Sequence, residues 1–223
     1  MKTLATVVGV LALAGAAQAQ IPWNNPNGAG PFFNWANGQN STGLFGSPSL
    51  IGDTFVFFPA NFVALSENGV MDTKTDTMSV DLFVQPGYKF DGIRISEFGD
   101  YSILGQGSVD ATATLALSDT LNPGRNTSDI MGFNPIFPAT TGTNQSWQGD
   151  VGRDLALIEF GTPFLNIHLE FTNTLVAISI PGSSAVIRKT LVGVPVAIQI
   201  LPEPGALALL AFGGLVASRR RRA

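Results

Sequence analysis

The chain has 223 residues, of which 45% are hydrophobic and only 13% are charged. This length fits one domain with short appendages, and so apolar a composition excludes a disordered acidic or basic chain. The sequence has no cysteine, which excludes a disulfide scaffold, a cysteine-ligated metal site and a thiol nucleophile. Residues 20–200 hold seven basic and fifteen acidic residues, a net charge of −8. Because nucleic-acid binding depends on basic residues that neutralise phosphates, we expect no nucleic-acid partner.

Residues 1–19 read MKTLATVVGVLALAGAAQA and have the three parts of a secretory signal peptide. A lysine at the second position precedes the apolar run Leu4–Gly15, and Ala17 and Ala19 form a small-residue cleavage site before Gln20. The run is shorter than the ~20 residues of a membrane-spanning helix. We therefore expect a signal peptide helix that engages the Sec translocon and is removed by signal peptidase.

Residues 20–52 are rich in glycine, proline and asparagine, which are typical of loops. We expect this segment to be a set of turns that packs on the domain through its aromatic residues. An exposed platform for stacking on sugars is the alternative. The aromatic residues concerned are Trp23, Phe32, Phe33, Trp35 and Phe45.

Residues 53–200 alternate apolar and polar side chains, as half-buried strands do. Many short strands separated by turn residues favour an all-β fold, and we expect an antiparallel β-sandwich of jelly-roll or immunoglobulin-like type. The expected strands are Thr54–Phe58, Thr77–Val84, Tyr88–Ser96, Tyr101–Leu104, Ser108–Leu117, Leu155–Phe160, Leu165–Thr172, Leu175–Ile180, Ala185–Lys189 and Val194–Ile200.

Residues 122–151 interrupt this alternation and contain no convincing strand. Ordered loops of this length are uncommon and often functional. The segment is predicted to be either a plain connection between the two halves of the sandwich or a binding loop that presents Trp147.

A search for catalytic groups finds few candidates. His168 is the only histidine, and it shares a strand face with Glu170, but no G-x-S-x-G nucleophile motif accompanies it. We expect a solvent-facing strand histidine. Glycosidases use two carboxylates, and the nearest such pairs are Glu97 with Asp100 and Asp150 with Asp154.

Three further acids, Asp72, Asp76 and Asp81, lie in one polar stretch. Their spacing does not match a calcium-binding loop motif, so a solvated acidic surface is the expectation and a calcium site the alternative. Together these patterns predict no catalytic site, no cofactor and no enzymatic activity.

The C-terminal residues 201–223 combine three features in a fixed order. Pro202, Glu203 and Pro204 come first, followed by the apolar run Gly205–Ala217. As a helix this run is ~20 Å long, short of the ~30 Å hydrocarbon core. Four arginines follow, and the positive-inside rule keeps them cytoplasmic; they are Arg219, Arg220, Arg221 and Arg222. This segment predicts a short hydrophobic helix that anchors the precursor transiently in the inner membrane.

This arrangement closely resembles the PEP-CTERM sorting signal of Gram-negative bacteria. The resemblance implies that an exosortase recognises the segment, cleaves near Pro202–Pro204, and releases the protein or transfers it to the outer surface. An ordinary single-pass anchor is the alternative. The stretch Asn61–Gly107 also resembles the bodies of PEP-CTERM proteins, through Gly87-Tyr88 at a strand start and a turn at Glu97–Tyr101.

The expected organisation has four parts: a signal peptide at 1–19, an aromatic segment at 20–52, a β-sandwich at 53–200 and a sorting segment at 201–223. We expect an exported protein whose precursor is anchored in the inner membrane and whose mature form is at the cell surface or extracellular. Its expected function is structural or adhesive. The alternative is a polysaccharide-binding module of the biofilm matrix, assisted by calcium.

Overall fold

The computed structural model describes residues 19–155, 162–189 and 196–204. The predicted signal peptide helix, the C-terminal apolar run and the four terminal arginines lie outside the described residues, as does Ala17. Ala19 and Gln20 are exposed. Within the described ranges no helix has the length and hydropathy needed to cross a membrane.

The described part of the chain is built from strands. They are β1 (Ile21–Pro22), β2 (Gly28–Ala29), β3 (Phe33–Asn40), β4 (Ser49–Ile51), β5 (Thr54–Phe57), β6 (Val63–Glu67), β7 (Asp72–Val84), β8 (Tyr88–Leu104), β9 (Gly107–Asp119), β10 (Asn126–Ile130), β11 (Gly132–Asn134), β12 (Gln145–Asp154), β13 (Asn166–Ser179), β14 (Ser184–Lys189) and β15 (Val196–Pro204).

These strands form two antiparallel sheets that pack face to face, so the predicted all-β sandwich is confirmed. The seven-stranded sheet has the order β1-β3-β7-β13-β9-β10, with β2 beside β3. The eight-stranded sheet has the order β11-β12-β8-β15-β5-β4, with β14 beside β8 and β6 beside β14. Long β8 accommodates these neighbours because β15 pairs with its first part and β14 with its last part.

The core lies between the sheets and follows the alternation predicted from the sequence. Strand β9 buries every second residue from Val109 to Leu117, and β7 buries Met78, Val80 and Leu82. Val84, also expected inside, is half-buried. This regular pattern fixes the register of the sheets, because a shift by one residue would expose the whole apolar set.

The prediction that residues 20–52 form loops is wrong, because strands β1 to β4 lie there. Strand β3 pairs with the interior strand β7, and its register shifts between Ala36 and Gln39. Asn37 has a φ of 58° in this bulge. Asparagine tolerates that conformation better than most residues. Asn37 therefore lies within a strand, although Asn37-Gly38 in the sequence indicates a turn.

The prediction that residues 122–151 contain no strand is also wrong. Strands β10 and β11 and most of β12 lie in this range. In β12, a Cβ atom at Gly149 would come within 2.5 Å of the Met131 sulfur. Gly149 therefore allows close packing of β12 against β11 and against Met131, which precedes β11. It does not form a turn.

Two pairs of expected strands are single strands. Strand β8 runs without a break through Glu97–Tyr101, which the resemblance had marked as a turn. Strand β13 joins the two segments expected on either side of residues 173–174. The last strand, β15, continues to Pro204, and its final three residues pair with Tyr88–Phe90 of β8 after a register shift at Leu201/Pro202.

Candidate functional site

The three acids of the predicted calcium alternative have separate partners along β7. The Asp76 side chain is buried and accepts hydrogen bonds from the backbone N–H groups of Thr42 (2.7 Å) and Phe45 (2.9 Å). Asp72 pairs with Lys74 at 2.8 Å. Within the described residues there is no group of three or more histidines and acids that could hold a metal ion.

The expectation of a solvated acidic surface is therefore wrong for Asp76. This carboxylate fixes the turn that follows β3, where the Ser41 hydroxyl also donates to it at 2.9 Å. Burial of a charge is tolerated here because several donors satisfy it. Its role in the fold is to hold the N-terminal segment on the seven-stranded sheet.

His168 lies on the outward face of β13, as expected, with 40% of its side chain exposed. Its partner is Asp81 on the neighbouring strand, at 2.6 Å from Nδ1 to Oδ1, and not the nearby Glu170. Asp81 also accepts a hydrogen bond from the Asn37 side chain at 2.7 Å. The histidine thus belongs to a cross-strand contact that joins β13, β7 and β3.

The two candidate carboxylate pairs have different surroundings in the fold. Glu97 and Asp100 point to opposite faces of β8: Glu97 is fully buried, and Asp100 faces outward and pairs with Arg188 at 2.8 Å. Asp150 is exposed and accepts a hydrogen bond from Ser96 at 2.6 Å. Asp154 is exposed at the end of β12.

The aromatic residues of the N-terminal segment are mostly in the core. Trp23, Phe33 and Phe45 are each at most 2% exposed, so the expected packing is confirmed for them. Phe32 and Trp35 are half-buried. A Cβ at Gly38 would lie 2.2 Å from the Trp23 ring, which shows how closely the segment packs.

Trp147, proposed to lie on a binding loop, is instead an inward residue of β12 and is 2% exposed. Its ring packs against Phe133 and Phe137 at centroid distances of 5.9 and 6.1 Å. A tryptophan in a polar segment is thus a core anchor here. It cannot stack on a ligand without unfolding of the strand.

The outward side of the eight-stranded sheet carries a polar array that sequence reasoning missed. We define the β8–β12 face by Arg94, Ser96, Phe98, Gln148 and Asp150. The register places Ser96 opposite Asp150 and Phe98 opposite Gln148. The alternation of side chains in β8 could have indicated part of this face, because it puts Arg94, Ser96 and Phe98 on one side of the strand.

A groove crosses this face next to Arg94. Gly152 lies opposite Arg94 and has no side chain to fill the space between the strands. One recess of about 190 Å³ reaches Ser96 and Asp150, and an adjoining recess of about 310 Å³ reaches Asp91, Asp154 and Leu201. The two recesses share Arg94 and Gly152.

The β8–β12 face presents both hydrogen-bond donors and acceptors. Arg94 is exposed, and among the described residues its side chain has no hydrogen-bond or ion-pair partner, so its guanidinium is available to a ligand. Asp150 accepts hydrogen bonds from Ser96 and from Gln148, the latter at 2.5 Å. Half-buried Phe98 adds an apolar ring between these groups.

A second polar group lies in the core between this sheet and the seven-stranded sheet. Glu97, Asn173 and Lys189 are at most 2% exposed, and the Glu97 carboxylate contacts both of the others. Burial lowers the pKa of Lys189, and the nearby Glu97 carboxylate opposes that change. Alternation predicts these inward positions too, because Lys189 follows Ala185 and Ile187 on one strand face.

No protein-family model matches the chain, and no curated protein matches it. Among solved structures it is similar to TmCBM61 in complex with β-1,4-galactotriose, with 10% identity and a TM-score of 0.25 over 63% of this chain and 83% of that one. It is similar to the Clostridium thermocellum Xyn10B CBM22-1–GH10 modules complexed with xylohexaose, with 11% identity and a TM-score of 0.23 over 60% of this chain and 27% of that one.

A third similar structure is that of the infectious bursal disease virus Gx strain, with 14% identity and a TM-score of 0.25 over 79% of this chain and 55% of that one. At these identities and TM-scores the matches add no argument about what this chain binds.

Proposed function

We propose that this chain is an exported protein of the cell surface or extracellular matrix, that its role is structural or adhesive, and that it adheres by binding polysaccharide on the β8–β12 face. The sequence supports export through the signal peptide features of residues 1–19. The PEP-CTERM resemblance of residues 201–223 supports processing by an exosortase, which makes that enzyme and signal peptidase its processing partners.

The observation that carries the adhesive role is the combination of groups on the β8–β12 face. A sugar offers hydroxyl groups that both donate and accept, and an apolar C–H face. Arg94 donates, Asp150 accepts, and Gln148 does both, while the Phe98 ring can pack against the C–H face. The open groove beside Arg94 fits an extended chain better than a small enclosed ligand.

The binding experiment is retardation of the protein in native gels that contain exopolysaccharide purified from the host. The dissociation constant is obtained from the retardation at several polysaccharide concentrations. We expect Arg94→Ala and Phe98→Ala each to raise this dissociation constant about tenfold, which is a loss of ~1.4 kcal/mol in binding free energy. Thr112→Ala is the matched control, because Thr112 is exposed on the outward face of the other sheet. Unchanged retardation in both face variants would contradict the proposed binding face.

A further inference from the structure

Three buried polar side chains meet between the two sheets. Glu97 of β8 and Lys189 of β14 belong to the eight-stranded sheet, and Asn173 of β13 belongs to the seven-stranded sheet. One carboxyl group bridges the other two side chains. Its Oε1 accepts a hydrogen bond from Asn173 Nδ2 at 2.6 Å, and its Oε2 contacts Lys189 Nζ.

Aromatic rings enclose this cluster and exclude water from it. Lys189 Nζ lies 4.9 Å from the ring centroid of Phe62, 5.4 Å from that of Trp147 and 5.6 Å from that of Phe45. In such an environment the charged amine is disfavoured, and burial lowers the pKa of Lys189. An amine in its neutral form is a nucleophile.

The amide of Asn173 is held at one end only. Its nitrogen donates to Glu97, while its buried Oδ1 has no hydrogen-bond partner among the described residues. A purely structural cluster is expected to satisfy all of its buried polar atoms. Here the Lys189 amine and the Asn173 amide instead contact the two oxygens of the Glu97 carboxyl group. A nucleophile (the amine) and an electrophile (the amide carbon) therefore lie beside a group that can act as acid and base.

We propose that Lys189 and Asn173 condense into an intramolecular isopeptide bond, with Glu97 as the catalytic acid and base. Glu97 first removes a proton from Lys189 Nζ. The nitrogen lone pair then forms a bond to the Asn173 carbonyl carbon Cγ, and negative charge develops on Oδ1.

The tetrahedral intermediate collapses when Glu97 returns its proton to Nδ2, which is already its hydrogen-bond donor. The bond between Cγ and Nδ2 breaks, its electron pair leaves with the nitrogen as ammonia, and Nζ loses its second proton to Glu97. The product is an Nζ–Cγ amide. No oxidant, reductant or cofactor is consumed, and the enclosed geometry replaces a bimolecular encounter.

This activity goes beyond the proposed function, since it is a single self-modification and not the binding of a ligand. The bond would join β14 of one sheet to β13, an interior strand of the other. The chain has no cysteine, so a disulfide cannot cross-link the sandwich. An amide cross-link also resists reduction.

The test is the mass of the chain purified after removal of residues 1–19, measured under denaturing conditions and followed by a tryptic map. We expect this mass to be lower, by one ammonia, than the mass calculated from the sequence of the processed chain. We also expect the peptide that ends at Arg188 and contains Asn173 to be joined to the peptide that begins at Lys189, with no cleavage after Lys189. Linear peptides only, in the folded wild-type protein, would overturn the proposal and leave a structural ion pair.

Two variants assign the chemistry. Glu97→Gln keeps the size of the side chain and removes the acid and base, so we expect the full mass and linear peptides. Asn173→Asp supplies a carboxyl group as the electrophile, so the cross-linked peptide should form with loss of water from that variant. Cross-linking in Glu97→Gln at the wild-type level would contradict the role of Glu97.

Gln20 provides a necessary control, because an N-terminal glutamine also loses ammonia when it cyclises. That loss would persist in Glu97→Gln and would lie in the N-terminal peptide. Only the joined peptide reports the isopeptide bond, and it is measured on the wild-type protein, so the test does not depend on the folding of any variant.

Discussion

Strand β8 has two sides that differ in their contact with water, and each side carries a different group of polar residues. Its inward side places Glu97 between the sheets, fully buried, with Asn173 and Lys189 as fixed partners. Its outward side places Arg94 and Phe98 at the surface. The same alternation of side chains therefore puts a water-excluded cluster on one side and an open face on the other.

The two sides differ in what a charged group contributes to stability. A buried ion pair costs free energy to form, because both charges lose their contact with water. Removal of one partner destabilises the fold strongly, because the remaining charge is buried without a partner. An exposed pair exchanges its partner for water at little cost. Glu97 and Asp100, three residues apart on one strand, therefore have different roles because of burial and not because of residue type.

The largest expected effect comes from truncation of an aromatic side chain on the inward side. Trp147→Ala removes a ring that is 2% exposed, and we expect the free energy of unfolding to fall by about 5 kcal/mol. Phe98→Ala is the matched outward variant and should lose less than half of that. Urea denaturation measures both, and an equal loss would contradict the difference between the two sides.

A smaller effect is expected from the two acids of β8. Glu97→Ala leaves Lys189 buried without its carboxylate, and we expect a loss of about 3 kcal/mol in the free energy of unfolding. Loss of the proposed cross-link would act in the same direction. Asp100→Ala breaks only the exposed pair with Arg188 and should cost about 1 kcal/mol or less. Unfolding of the two variants at the same urea concentration would contradict this difference between a buried and an exposed acid.

The smallest effect concerns acid sensitivity at the surface. Burial alone would raise the pKa of Asp72, but hydrogen bonds from Lys74 and from the Leu65 N–H lower it overall. A carboxyl group with a lowered folded-state pKa stabilises the fold above its unfolded-state value and loses that contribution as the pH falls through the folded-state value.

Asp72→Asn should therefore be less stable than the wild type at pH 7, by about 1 kcal/mol or less. The difference should disappear near pH 2. Lys74→Met is the matched control, because it removes the same pair from the other side. A stability difference for Asp72→Asn that grows as the pH falls would contradict the sign of the pKa change.

The sequence predicted the sandwich because alternation is strong wherever a strand buries one face, as β7 and β9 do. It did not predict β3, β10 or β12, because these strands contain asparagine, serine and glycine, whose local preference is for turns. Pairing with long neighbours overrides that preference. Gly149 shows the same limit, since its role appears only when Met131 lies against it.

The candidate sites divide in a similar way. Ligand contact was the alternative for Trp23 and one of two predictions for Trp147, and both rings fill the core. The β8–β12 face and the buried cluster each depend on which strands are neighbours, and alternation alone cannot give that. In the sequence Glu97 stands out only as half of a carboxylate pair. In the fold its charged partner is Lys189, 92 positions away.

The claim that this protein works outside the cell is tested most directly by its mass in the native host. The measurement compares the intact mass of the protein from cells with and without a functional exosortase. We predict loss of residues 1–19 in both strains, and loss of the tail beyond Pro202–Pro204 only where the exosortase is active, with that form recovered from the extracellular matrix. A tail retained in both strains, with the protein in the inner membrane, would contradict the account.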